Sequence, residues 1–194
     1  MARLPAPGQS DHVPGLFDLV APTAAERRRK LPGDDLVHAD VQTDRAFDLP
    51  APPAEVWPWL VQLGRHRAGW YLPRSVERVV PPSRRAVRRL VPELQNLQVG
   101  QTIPDWGGRT ATLTVAAMDR NRYVLHTSRR GSVDVTWALV LSPAGRAGTR
   151  VQSRVRFGPV QRRWLAEYGG GPVDLLTILG LAHGLRERLE DADT

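Results

Sequence analysis

The chain contains no cysteine, which removes disulfide scaffolds, thiolate zinc sites and thiol nucleophiles from consideration. Lysine is nearly absent as well. Lys30 is the only one, so arginine supplies all but one of the 27 basic residues behind a formal net charge of +7. A long hydrophobic run is also missing. The most apolar stretch near the C-terminus, VDLLTILGLAHGL at 173–185, carries Asp174 and His183 and is too short and too polar to cross a bilayer. No secretory signal is visible in the first residues, which Pro5, Pro7, Gly8, Pro14 and Gly15 punctuate. The expectation is a soluble, cytoplasmic chain with no membrane span. The five histidines (His12, His38, His66, His126, His183) include no pair at a metal-ligand spacing, so neither a metal nor a cofactor is expected.

What is present fits one domain with an appendage, since 194 residues can bury a core without staples. Residues 1–30, rich in Pro and Gly and ending in AERRRK, form an N-terminal extension, partly disordered or draped on the domain of residues 31–194. VQTDRAFDL at 41–49 alternates and reads as a strand. Pro50, Pro52 and Pro53 then stop it and open a helix, where a first-turn proline loses no intrahelical bond. That helix ends at Gly64. A second short helix starts at Pro73, and residues 81–101 read as a loop with a possible helical piece. Arg84, Arg85, Arg88 and Arg89 lie there at helical spacing and read as a solvated face.

From about residue 110 the period becomes two. TATLTVAA (110–117), RYVLHTS (122–128), SVDVTWALVL (132–141) and TRVQSRVRF (149–157) read as an antiparallel meander with turns between them. The inward sets by alternation are Leu113 and Val115; Tyr123, Leu125 and Thr127; Val133 to Leu141 in steps of two; and Val151, Ser153, Val155 and Phe157. His126 then has outward parity, and Arg150, Arg154 and Arg156 read as the solvent side of a half-buried sheet. QRRWLAEY (161–168) is a candidate short helix. After Gly169–Gly171, Pro172 opens a long terminal helix through Glu190, with Leu175, Leu179, Ala182, Leu185 and Leu189 on one face. This order implies an α+β domain with the last helix laid across the sheet.

LPGDDLV (31–37), APPAEVWPWLVQLGRHRAGWY (51–71) and VPELQNLQVGQTIP (91–104) resemble a bacterial branch of the SRPBCC superfamily, the START-like and polyketide-cyclase-like group, over roughly residues 31–190. The resemblance implies a helix-grip fold: a curved antiparallel sheet wrapped around a long C-terminal helix, with two short helices after the first strand. It also implies a bend at Pro58 that sends Trp57 and Trp59 apart, one to the core and one to the rim. It further implies an internal cavity for an apolar or aromatic small molecule, polyketide-like or terpenoid-like. Related chains carry a Met- and Arg-rich segment where this one has DLLTILGLAHGL, which makes that side of any cavity more apolar.

The expected lining is Leu125, Thr127, Val135, Trp137, Ser153 and Val155 from the sheet, Trp70, Tyr71 and Trp106 near the mouth, and Tyr168, Leu175 and Leu179 from the helical end. Tyr123, Asp105 and His183 are the candidates for proton transfer in a cyclisation or dehydration. Two of them have a plainer reading: Asp105 follows a proline and forms turns, and His183 lies beside the buried stripe of its helix as a boundary histidine. Asp174 reads as first-turn helix stabilisation. No nucleophile constellation stands out, so a non-catalytic carrier or sensor competes with a cyclase. The arginines at 27–29, 84–89 and 150–156 leave a third reading, a basic protein for an acidic macromolecule, although no nucleic-acid-binding module is recognisable. The expected partner is a hydrophobic ligand, and the chain a monomer or homodimer.

Overall fold

The computed structural model describes residues 18–106, 110–160 and 171–192. Strand β1 (Val41–Leu49) is followed by helix α2 (Pro53–Gln62) and the single turn α3 (Arg74–Glu77). Strands β2 (Thr102–Pro104), β3 (Thr112–Asp119), β4 (Tyr123–Arg130), β5 (Val133–Ala144) and β6 (Gly148–Gly158) come next, and helix α4 (Gly171–Ala192) closes the chain. A short helix α1 (Ala24–Arg28), capped by Thr23 and Glu26 in a reciprocal box, precedes β1. All six strands form one antiparallel sheet in the order β1-β6-β5-β4-β3-β2. With α4 against one face, this is the helix-grip α+β architecture. Residues 161–168, read as a short helix, lie outside the described residues. No helix among the described residues is long and apolar enough to cross a membrane.

The core lies between the inner face of the sheet and the helices. Phe47, Val115, Val124, Leu139 and Val151 from the strands meet Ile178, Leu181, Leu185 and Leu189 of α4 and Val56, Trp59 and Leu60 of α2. Helix α2 runs unbroken through Pro58 and ends at Leu63. Trp57 and Trp59 are both buried. The expected divergence of the two indoles is therefore corrected: the helix absorbs the proline, and the Pro58 carbonyl accepts a hydrogen bond from Gln95 Nε2 at 3.3 Å. Residues 84–91 contain no α-helix, so Arg84, Arg85, Arg88 and Arg89 do not form a helical face.

Alternation assigns β3, β5 and β6 to the right faces and β4 to the wrong one. His126 pairs with Trp137 and Val115 across the ladders, and Val124 with Leu139. Val124, His126, Ser128 and Arg130 therefore face inward. Tyr123, Leu125 and Thr127 face outward. Leu125 is nonetheless buried, because Gly33 of the segment before β1 packs directly on its side chain. A sheet covered on both faces has apolar residues on both, and the period of two loses its sign.

The cover on the outer face is residues 21–37, and arginines hold it there. Arg154 is almost fully buried. It makes ion pairs at 2.7 Å with both Asp34 and Asp44 and donates to the carbonyls of Glu26, Arg27 and Arg29. Arg150 reaches Glu26 at 2.9 Å, Asp48 at 3.1 Å and the Ala21 carbonyl, and Arg156 reaches Asp34 at 3.3 Å. Beside Arg150 the Glu26 carboxyl is held down to about 2. The expected solvent stripe is thus a buried clasp. The outward parity was right, and the assumption that outward meant solvated was not.

Two features fix α4. Gly180 and Gly184 face the chain at Tyr71–Leu72, and a Cβ at Gly184 would lie 2.6 Å from the Tyr71 carbonyl carbon and 2.7 Å from the Leu72 nitrogen. One turn on, Arg188 is fully buried. It donates to the carbonyls of Leu72, Val87 and Gly184, pairs with Glu77 at 2.6 Å, and its guanidinium lies 4.6 Å from the Tyr71 ring centre.

Gly184→Ala should cost about 2–3 kcal/mol, because backbone rather than a side-chain tip must yield; urea denaturation reads it, and an unchanged midpoint would contradict the packing. Arg154→Ala takes the buried guanidinium from two carboxylates and three carbonyls and should cost about 3–5 kcal/mol. Amide exchange in residues 21–37 should accelerate in that variant well before exchange in β5.

Candidate functional site

Beyond the clamp at Gly184 and Arg188, the N-terminal half of α4 borders a cavity of about 500 Å³. Trp70, Trp106, Leu113, Val135, Trp137 and Val155 give it apolar walls, and Val173, Thr177 and Ile178 of α4 form its roof. Its charged lining is Asp105, Arg130 and Asp174. Trp70 and Trp137 lie 5.8 Å apart with a 30° tilt, and Trp106 sits edge-on to Trp70 at 5.3 Å. Both inner indoles have spent their N–H groups elsewhere. Trp70 donates to the Thr177 carbonyl at 3.2 Å and Trp137 to Ser153 Oγ at 3.1 Å. Their rings therefore remain as oriented apolar surfaces. Trp106, by contrast, is 44% exposed and stands at the mouth.

The polar groups are fixed by the strands and by the turn after β2. Asp105 is buried; one carboxylate oxygen accepts the Trp106 N–H at 2.6 Å and the other meets Arg130. Arg65 donates to the Asp105 carbonyl at 2.9 Å, so the turn is held from both sides. Asp174 pairs with Arg45 Nε of β1 at 2.9 Å. Burial raises its carboxyl above the ordinary range, against the pull of Arg45. Among the described residues no group of three His, Asp or Glu side chains is placed to hold a metal.

Of the residues expected at a site, Trp70, Asp105, Trp106, Val135, Trp137 and Val155 line this cavity. Ser153 stands behind Trp137 as the acceptor of its indole N–H. Tyr71 is wholly buried beside it in the core, its hydroxyl donating to the Trp59 carbonyl at 2.9 Å; burial pushes that hydroxyl well above the ordinary phenol range. Leu179 and Leu175 pack in or on the core without lining the cavity. Tyr123, Leu125 and Thr127 face the other side of the sheet and do not reach it. His183 is half-buried on α4 and is not part of the lining. Tyr168 lies outside the described residues. Of the three proton-transfer candidates, only Asp105 meets the cavity.

Sequence reasoning missed Arg130, Val173, Asp174, Thr177 and Ile178, and it placed Leu113 on the inner face without assigning it to the cavity. Asp174 had a sufficient explanation as a first-turn acid, and Arg130 as part of a turn. One signal was available for Asp174: in GPVDLLTIL, the start of α4, it and Thr177 are the only polar side chains; YVLHTSRR offers none for Arg130.

His126, expected at the surface, is 4% exposed and stacks on Trp137 at 5.4 Å. Among the described residues its Nδ1 has no hydrogen-bond partner, and neither does Ser128 Oγ two residues on. Burial, reinforced by the charge of Arg67 and opposed by Asp105, lowers the imidazole to about 4. As pH falls from 6.5 toward 4, the unfolded chain takes up this proton before the folded one does. Stability from this group is complete above about pH 6.5 and is lost on the way to pH 4, by about 3 kcal/mol at about 1.4 kcal/mol per pH unit. His126→Phe should flatten that slope relative to the parent in denaturation curves taken from pH 7 to 4. Parallel slopes would show that His126 is not buried neutral.

No family model matches the chain, and no curated protein does. Among solved structures it is similar to protein MLL2253 from Mesorhizobium loti, at 17% identity and a TM-score of 0.47, covering 79% of this chain and all of that one. CalU16 from Micromonospora echinospora gives 18% identity and a TM-score of 0.46 over 77% of this chain and 84% of its own. DynU16, a protein of the dynemicin biosynthetic locus, gives 15% and 0.47 over 79% of this chain and 48% of its own. At such values the fold assignment stands on the strand order and helix placement of this chain itself.

Proposed function

We propose that the chain is a helix-grip protein of the SRPBCC type that binds an apolar, aromatic small molecule, polyketide-like in shape, in the cavity under α4. The observation that carries this reading is the tryptophan-walled space of about 500 Å³. That volume is in the range of small-molecule sites, which are mostly apolar with a few placed polar groups. Trp70 and Trp137 offer flat faces to a ring system, and Trp106 offers an edge at the mouth. Arg130 and Asp105 meet the polar rim of such a molecule.

Binding without turnover is the primary reading. Tyr123 and His183 stand away from the cavity, and the Asp105 carboxylate is engaged by Arg130 and the Trp106 N–H. Asp174 favours a second reading, in which the cavity restricts a flexible chain and a carboxyl group moves a proton during cyclisation. Its raised affinity for a proton, at the cavity wall, supports that role.

Native mass spectrometry of freshly purified protein, beside an organic extract, tests the first reading: a bound apolar molecule is expected. Trp106→Ala removes an exposed wall and should weaken binding of an aromatic probe such as 1-anilinonaphthalene-8-sulfonate about tenfold while leaving the unfolding midpoint unchanged. A clean apo mass together with probe binding unaffected by Trp106→Ala would sink the proposal. Extracted ligand returned unchanged after incubation marks a carrier. Conversion that Asp174→Asn abolishes marks an enzyme.

A further inference from the structure

The positive charge of this protein is concentrated in one stretch. Residues 65–91 hold eight arginines and a single acidic residue, Glu77. Arg65 and Arg67 are spent on main-chain carbonyls near the cavity. Arg74, Arg78, Arg85 and Arg88 instead gather around a second cavity of about 280 Å³, together with Glu77 and Ala86. It lies at the C-terminal half of α4. Asp174, at the first cavity, and Glu187, at this one, are 13 residues apart, about 20 Å along a helix.

The four guanidiniums are not equivalent. Arg88 is compensated by Glu77 at 3.0 Å, Glu187 at 3.1 Å and Asp191 at 3.0 Å. Arg74 meets Asp191 at 2.7 Å. Arg85 donates to the Val80 carbonyl at 2.8 Å and the Arg78 carbonyl at 3.2 Å. Those bonds fix its orientation and leave its charge uncompensated. The Arg78 side chain has no ion pair or hydrogen bond among the described residues and is exposed at the same rim. A concave site thus carries one pre-oriented and one free guanidinium, backed by two more that carboxylates hold in place.

We propose that this cavity is a binding site for a small oxyanion of the phosphate class, such as a diphosphate group, separate from the apolar cavity and from whatever that cavity holds. Guanidinium forks match tetrahedral oxyanions through paired, charge-assisted hydrogen bonds. Arg85 needs no reorganisation to offer its free edge, and Arg78 can close over a bound group. Glu187 and Asp191 keep the other two arginines extended toward the site. They also limit its net charge, which favours a compact anion over a long polymer.

The test titrates inorganic pyrophosphate into the full chain by isothermal calorimetry at low salt. One-to-one binding is expected. Arg78→Ala should weaken it about tenfold and Arg78→Glu should abolish it, whereas Arg122→Ala, an exposed arginine paired with Asp119 on another turn, should leave it unchanged. Because the Arg78 side chain makes no ion pair or hydrogen bond among the described residues and its main-chain contacts survive substitution, both variants should keep the parent's unfolding midpoint in phosphate-free buffer. Absence of binding, equal affinity in Arg78→Glu, or the same heat from sodium chloride at matched ionic strength each overturns the proposal. So does a protein that ignores pyrophosphate yet binds a DNA duplex with a steep salt slope, since that is a polyanion face rather than a pocket.

Discussion

A single arginine in the last helix sets the distance from which everything else is measured. Arg188 has no exposure to solvent and still finds three carbonyls, a carboxylate and an aromatic face. Such a group is tolerable in a core only when every donor has a partner. Apart from the Gly184 carbonyl of its own helix, its partners come from the segment between α2 and β2, so that irregular stretch is drawn onto α4. The bare backbone at Gly184 lets the two approach to near contact. Close approach at this end of α4 is accompanied by open space at the other, where Val173, Thr177 and Ile178 roof the cavity. The clamp and the large cavity occupy opposite halves of one helix.

The same exchange between burial and pairing is repeated on the outer face. Alternation alone implies a solvated outer face, yet here an arginine row is sealed under residues 21–37. Each buried charge there is matched: Arg154 by Asp34 and Asp44, Arg150 by Glu26 and Asp48. A protein with a net charge of +7 has therefore neutralised the arginines of its sheet and left its excess elsewhere, chiefly around Arg78 and Arg85.

How much of this could be read from residues alone varies by element. The ends of β1 and the opening of α2 at Pro53 were legible because prolines and alternation mark them locally. The faces of β5 and β6 were legible because one side of each carries arginine or small polar residues. β4 was not. YVLHTS opens with three apolar or aromatic residues in succession and continues with three polar ones, and only knowledge that Gly33 covers Leu125 would place Tyr123 outside and His126 inside. The cavity shows the same division. Trp70, Trp106 and Trp137 announced themselves by size, whereas Asp174 and Arg130 acquire meaning only from what faces them across the space. Pairing between distant segments is the information that a local period does not contain.

Strand β1 pairs with β6 along its whole length, from Val41 opposite Phe157 to Leu49 opposite Thr149. The first strand to be synthesised is thus the last to find its neighbour, and the clasp before it waits for arginines on that same late strand. Until about residue 158 has emerged, β1 is an unpaired edge and the carbonyls of 26–29 have no arginine to accept from. Closing a loop of roughly a hundred residues makes this a slow, non-local step. The fold is completed at its beginning, and a nascent chain interrupted before β6 would present an open strand edge to any neighbour able to extend it.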